Sequence, residues 1–105
     1  MKKTTDFSFV EDSRTQSTIY YNLKGRISVN EAAIMENKLN DIRRTGHNHI
    51  IINMSAVNFF SSAAIRVILG AHKKLKAGGG KLQISAPSEC VRNVIGMVGL
   101  DELMR

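Results

Sequence analysis

His49-Ile50-Ile51-Ile52-Asn53-Met54 is a continuous apolar run too short for a helix, and it reads as a strand covered on both faces within a parallel sheet. It is the expected central strand. A turn is predicted at Ser55-Ala56, followed by the pair Phe59-Phe60, and a helical pattern opens at Ser61-Ser62. Its spacing buries Ile65, Ile68, Leu69 and Leu75 and leaves Arg66, Lys73, Lys74 and Lys76 mostly outside. Gly78-Gly79-Gly80 ends that helix.

Outward from this centre the elements alternate. Upstream, Ser28-Val29-Asn30-Glu31 has capping-box spacing, with a hydroxyl for the open N–H groups and a carboxylate three residues on to reach back. A helix should start there, with Val29, Ala32, Met35, Leu39 and Ile42 on one face and Gly46 as its stop. Phe7 to Val10 and Ser17 to Leu23 are short runs separated by polar residues, the pattern of a hairpin. Downstream, Lys81-Leu82-Gln83-Ile84-Ser85 alternates as a half-buried strand. Pro87-Ser88-Glu89 starts a third helix carrying Val91, Val94, Ile95 and Val98, and Gly99 ends it before a short final turn. The order is β-β-α-β-α-β-α. Right-handed crossovers then give an α/β fold with a mixed sheet of about four to five strands and the helices largely on one face.

The chain has 105 residues, of which 43% are hydrophobic, so it fits one domain over 1–105 with no linker or repeat. A chain of this size buries roughly two-thirds of its unfolded surface, enough for a core without staples. The single Cys90 excludes an internal disulfide framework and suits a reducing compartment. No stretch of about 18 apolar residues is present, and the N-terminus turns polar after Lys2 and Lys3 without an apolar signal core. These features predict a soluble, cytoplasmic protein with no stable membrane insertion.

Net charge is +6, and its distribution says more than its sum. Between residues 42 and 88 there are seven bases (Arg43, Arg44, Arg66, Lys73, Lys74, Lys76 and Lys81) and no acid. Such a segment can serve nucleic acid, anionic lipid or an acidic protein, or simply solvate a helix face. With no base-stacking aromatic array and no reading helix, nucleic acid is not expected as a partner. The lysines are expected to steer an acidic protein toward the start of their helix.

Nothing in the pattern makes a catalytic or metal site. His47 and His49 stand two apart at a strand entrance and His72 is alone on a helix, with no further ligand at metal-binding spacing. Cys90 has no base supplied for it. The glycine triplet follows a helix and lacks the Gly-Lys-Ser/Thr ending of a phosphate loop. No enzyme, metal or cofactor is therefore predicted. The informative place is Ser61-Ser62, two hydroxyls at a helix N-terminus after the central strand. One can cap the helix, a contribution of about 0.5–2 kcal/mol. A phosphoserine is also tolerated there, because the helix dipole and free N–H groups favour negative charge.

From Ile50 to His72 the sequence resembles the core motif of STAS domains, in particular the bacterial anti-sigma-factor antagonists. That motif is an apolar strand, an Asn or Asp, a small turn, an aromatic, then Asp-Ser-Ser-Gly-Leu-Gly and a helix. Gly78-Gly79-Gly80-Lys81-Leu82, Pro87 to Val91 with Val98-Gly99-Leu100, and Leu23-Lys24-Gly25-Arg26-Ile27-Ser28 extend the likeness over nearly the whole chain. The resemblance implies phosphorylation at Ser62, with Ser61 as second choice. It also implies a partner surface of Ser28, Asn53, Phe59, Phe60, Ser61, Ser62, Ala63 and Arg66. The implied partners are an anti-sigma factor that is also a serine kinase of the histidine-kinase-like ATPase type, and a serine phosphatase. Unmodified, the chain would bind the kinase and free a sigma factor; phosphorylated, it would be off. Two departures stand out, Ser61 and Ser28 in place of the family's aspartates, and in addition Arg66 enters the small-residue run. The substituted acids leave open, as the alternative, a STAS adaptor with no phosphorylation cycle in a signalling or lipid-transport complex, and the basic segment leaves a nucleic-acid-binding module as the weaker one. A weak homodimer is a further expectation.

Overall fold

The structure is a computed structural model describing residues 7–104, so the polar N-terminal run read above lies, from Met1 to Asp6, outside the described residues. Its elements are β1 (Ser8–Arg14), β2 (Thr18–Ile27), α1 (Val29–Arg44), β3 (His49–Phe60), α2 (Ser62–Ala77), β4 (Lys81–Ser85), α3 (Glu89–Met97) and a 3-10 turn (Asp101–Met104). The predicted order is found. One sheet of four strands runs β1-β2-β3-β4, antiparallel between β1 and β2 and parallel thereafter. The hairpin is longer than expected. Glu11 to Arg14 belong to β1, with a register shift between Glu11 and Ser13, and β2 continues through Gly25 to Ile27.

Alternation along the strands decides where the core sits. Ile19, Tyr21, Leu23 and Ile27 of β2, Ile50, Ile52 and Met54 of β3, and Leu82 and Ile84 of β4 are all buried, as successive side chains on a strand point to opposite faces. Against them lie Ala32, Met35, Leu39 and Ile42 of α1, Ala64, Ile68, His72 and Leu75 of α2, and Val91 and Ile95 of α3. Each large apolar side chain buried this way contributes about 1.5–3 kcal/mol. The opposite face of the sheet is open. Tyr20, Asn22, Lys24 and Arg26 are exposed there and Ile51 is only half-buried, which corrects the expectation that β3 is covered on both faces.

Three further expectations change. β3 does not turn at Ser55-Ala56 but runs on to Phe60. Asn53 Oδ1 accepts hydrogen bonds from Ser55 N–H at 2.9 Å and Ser55 Oγ at 2.8 Å, a local substitute for ladder bonds. Two register shifts against β2, between Asn22 and Lys24 and between Gly25 and Arg26, then each admit one extra residue on β3. Val29, the first residue of α1, is 68% exposed, and Val98, the C-cap of α3, is 49% exposed. Ile65, Leu69 and Val94 are half-buried, while Ala64 and His72 occupy the core face of α2.

Candidate functional site

All three helices begin with a serine N-cap in extended backbone conformation: Ser28, Ser61 and Ser88. Parallel strands deliver two of these to the same place. β2 ends at Ile27, which pairs with Phe60, and Ser61 N–H donates to Ile27 O at 3.0 Å. The starts of α1 and α2 therefore lie side by side at the carboxyl ends of β2 and β3, the end where open parallel sheets present their sites. Ser88 N–H reaches Met54 O at 3.2 Å and Cys90 Sγ approaches Val57 O at 3.5 Å, which ties the start of α3 to the far half of β3.

The adjacent hydroxyls have different environments. Ser61 Oγ accepts a hydrogen bond from Ala64 N–H at 3.1 Å and is half-buried, so its oxygen is committed to capping α2. Ser62 is the first residue inside the helix and is exposed. In the first turn the amides of Ser62 and Ala63 have no carbonyl four residues back to bond, which leaves donors for an anion. At Ser28 the box closes from the other side: Glu31 Oε1 accepts from Ser28 N–H at 3.1 Å.

Ala63 is half-buried and Arg66 exposed, both on the side of α2 that faces α1. Phe59 and Phe60 point to opposite faces of β3. Phe59 is 37% exposed, and the Arg26 guanidinium stacks over its ring at 4.1 Å on the open face. Phe60 is only 4% exposed and lies in the core opposite Ile27, so it supports the site from beneath and offers no side chain to a partner. Asn53 sits on the open face in register with Asn22 and Ser85, away from the serines. Lys73, Lys74 and Lys76 are in the last turns of α2, and Lys74 stands roughly 18 Å along the axis from Ser62 at 1.5 Å per residue. A Debye length of about 8 Å at physiological salt screens them from that end, which corrects the expectation that they steer a partner to it. Arg66 remains as the local cation.

Residues 10–105 match the STAS domain. The chain belongs to the STAS family. Among its STAS relatives, the anti-sigma-B factor antagonist of Bacillus subtilis is 25% identical over 95 residues, covering 90% of this chain and 86% of that protein. The anti-sigma F factor antagonist of Paenibacillus polymyxa is 22% identical over 96 residues, covering 90% and 82%. The anti-sigma factor antagonist SpoIIAA, solved in its unphosphorylated form, superposes with a TM-score of 0.84 at 25% identity, covering 93% of this chain and 86% of that one.

The STAS scaffold also forms a feature that the sequence did not single out. Between α1 and α2, behind the paired helix starts, runs a groove of about 230 Å³ lined by Val29, Ala32, Ala33, Glu36, Ala63 and Arg66. Exposed Val29 is its signal in retrospect. The three histidines are dispersed: His47 Nδ1 lies 2.8 Å from Thr45 Oγ1, and buried His72 contacts Leu82 N–H at 3.4 Å and Glu102 at 3.3 Å. Among the described residues no group of three or more His, Cys, Asp or Glu comes together to hold a metal ion, and no helix is long and apolar enough to cross a membrane.

Proposed function

We propose that this STAS domain is an anti-sigma-factor antagonist: it binds an anti-sigma factor that is also a serine kinase, frees the sigma factor in the cytoplasm, and is switched off by phosphorylation of Ser62. The observation that carries the reading is the split between the two hydroxyls. Ser61 is consumed as a cap, whereas Ser62 is exposed on the first turn beside the start of α1. The names of the relatives support the same function, and SpoIIAA is described by its phosphorylation state. A phosphate on Ser62 meets the open amides and the positive end of the helix dipole, with Arg66 one turn away on the same side. The kinase is of the histidine-kinase-like ATPase type, and a serine phosphatase resets the switch.

Ser61 and Ser28 lack the carboxylates that the family carries at these positions. Phosphate transfer is then slow, and the product, repelled by fewer neighbouring charges, is long-lived. The test is release. Adding the unmodified protein to a purified complex of the sigma factor and the kinase should free the sigma factor on size-exclusion chromatography, and the Ser62-phosphorylated protein should not. A complex left intact by the unmodified protein would refute the function.

A further inference from the structure

The charge excess that the sequence concentrates between residues 42 and 88 gathers, in the structure, at the end of the molecule opposite Ser62. There α1 and α2 end and β3 and β4 begin, and Arg43, Arg44, Lys73, Lys74, Lys76 and Lys81 are all exposed. Between Arg43 and Lys74 lies a cleft of about 340 Å³ walled by His47, Asn48, Leu75 and Gly78, with no acid in its lining. The geometry points to a second docking surface, centred on this cleft, that takes an acidic segment of a protein partner.

Helix ends alone do not account for so many cations. Two helix C-termini together present roughly one negative charge, so one or two basic residues in the last turns would balance them. Acids are present at this end as well, and those in ion pairs are used: Asp41 pairs with Arg44 at 3.1 Å, Glu102 with Lys76 at 4.0 Å, and Glu11, near His47, with Arg14 at 2.6 Å. Among the described residues, Arg43, Lys73, Lys74 and Lys81 have no carboxylate within ion-pair distance. Arg43 and Lys74 share the cleft, with Lys73 and Lys81 exposed at the same end of a molecule that carries +6 overall.

The shape of the cleft selects the class of partner. A carboxylate side chain laid in this open, shallow cleft between a guanidinium and an ammonium can take a forked pair of hydrogen bonds from Arg43 and a point charge from Lys74. A flat lipid surface touches protrusions, and peripheral binding draws on exposed apolar side chains. Single-stranded nucleic acid draws on exposed aromatic rings. None of the large exposed apolar or aromatic residues lines this cleft or the neighbouring one between Lys76 and Lys81. The surface is also independent of the phosphorylation reading, since the whole length of α2 separates it from Ser62.

Fluorescence anisotropy with a short labelled peptide rich in Glu and Asp, at physiological salt, tests the inference. Arg43→Glu/Lys74→Glu should weaken binding by about tenfold or more, and the milder Arg43→Gln/Lys74→Gln by several-fold, since 1.4 kcal/mol is tenfold in affinity. Circular dichroism checks that both variants fold. Lys24→Glu/Arg26→Glu, the same charge change on the open sheet face, and Ser62→Asp should leave the affinity within about twofold, because neither lies within a Debye length of the cleft. Equal losses from reversal at the cleft and on the sheet face would reduce the effect to net charge and overturn the proposal. So would a wild type that ignores the peptide while binding a single-stranded oligonucleotide or phosphatidylserine vesicles.

Discussion

Ser62→Asp is expected to lower the affinity for the anti-sigma kinase by about one to three orders of magnitude, the equivalent of roughly 1.4–4 kcal/mol, while the fold survives. The position explains both halves of the result. Ser62 is exposed and its hydroxyl makes no bond that holds the helix, so a carboxylate there costs the fold nothing, and at the start of a helix it is favoured by the dipole. In a docked complex the same carboxylate must be desolvated against a surface shaped for a neutral hydroxyl. Titration calorimetry against the purified kinase reads the difference directly. Ser61→Asp is the control, because aspartate can keep the cap on Ala64 N–H. Unchanged affinity for Ser62→Asp together with a loss for Ser61→Asp would move the switch by one residue.

Gly80→Ala is expected to remove at least about 3 kcal/mol of stability, a large share of the roughly 5–15 kcal/mol that holds a domain of this size together. A Cβ at Gly80 would stand 1.7 Å from the backbone oxygen of Asn48 and 2.7 Å from its carbonyl carbon. No flexible side-chain end is available to yield. To make room the chain must give up Lys81 N–H to Asn48 O, at 2.9 Å the first bond joining β4 to the start of β3, or Gly80 N–H to Leu75 O at 2.8 Å, which closes α2. Gly79→Ala is the comparison: it has open space around it and pays only for a left-handed φ of +88°, about 1–2 kcal/mol. Urea denaturation of the two variants should separate them clearly, and equal midpoints would contradict the packing described at Asn48.

The parts of the fold legible in the sequence were those where one local signal decided the outcome. Ser28 with Glu31, the Ser61-Ser62 pair and the apolar spacings of α1 and α3 each named their element, and the helix starts are within a residue of where they were expected. Features set by neighbours were not legible. Ile50, Ile51 and Ile52 read alike, yet only the first and third face the helices, because the number of covered faces depends on where three distant helices pack. The polar Ser55-Ala56 looked like a turn because it breaks the apolar run; the strand absorbs it by bulging, aided by the Asn53 side chain. Phe59 and Phe60 are adjacent in sequence and separated by the thickness of the sheet, so only one belongs to a surface. The lysines of α2 share a helix with Ser62, and its length puts them at the other end.

The central claim, that Ser62 is the hydroxyl that the kinase modifies, is tested most directly by incubating the wild type and Ser61→Asp with the cognate kinase and ATP, following intact mass over time and mapping the phosphate by peptide sequencing. A single phosphate on Ser62 is predicted, gained slowly by the wild type and faster when the acid is restored at 61. Phosphate on Ser61, or no phosphate at all, would contradict the claim; a wild type modified on Ser62 as fast as Ser61→Asp would contradict only the slowing assigned to the missing acid.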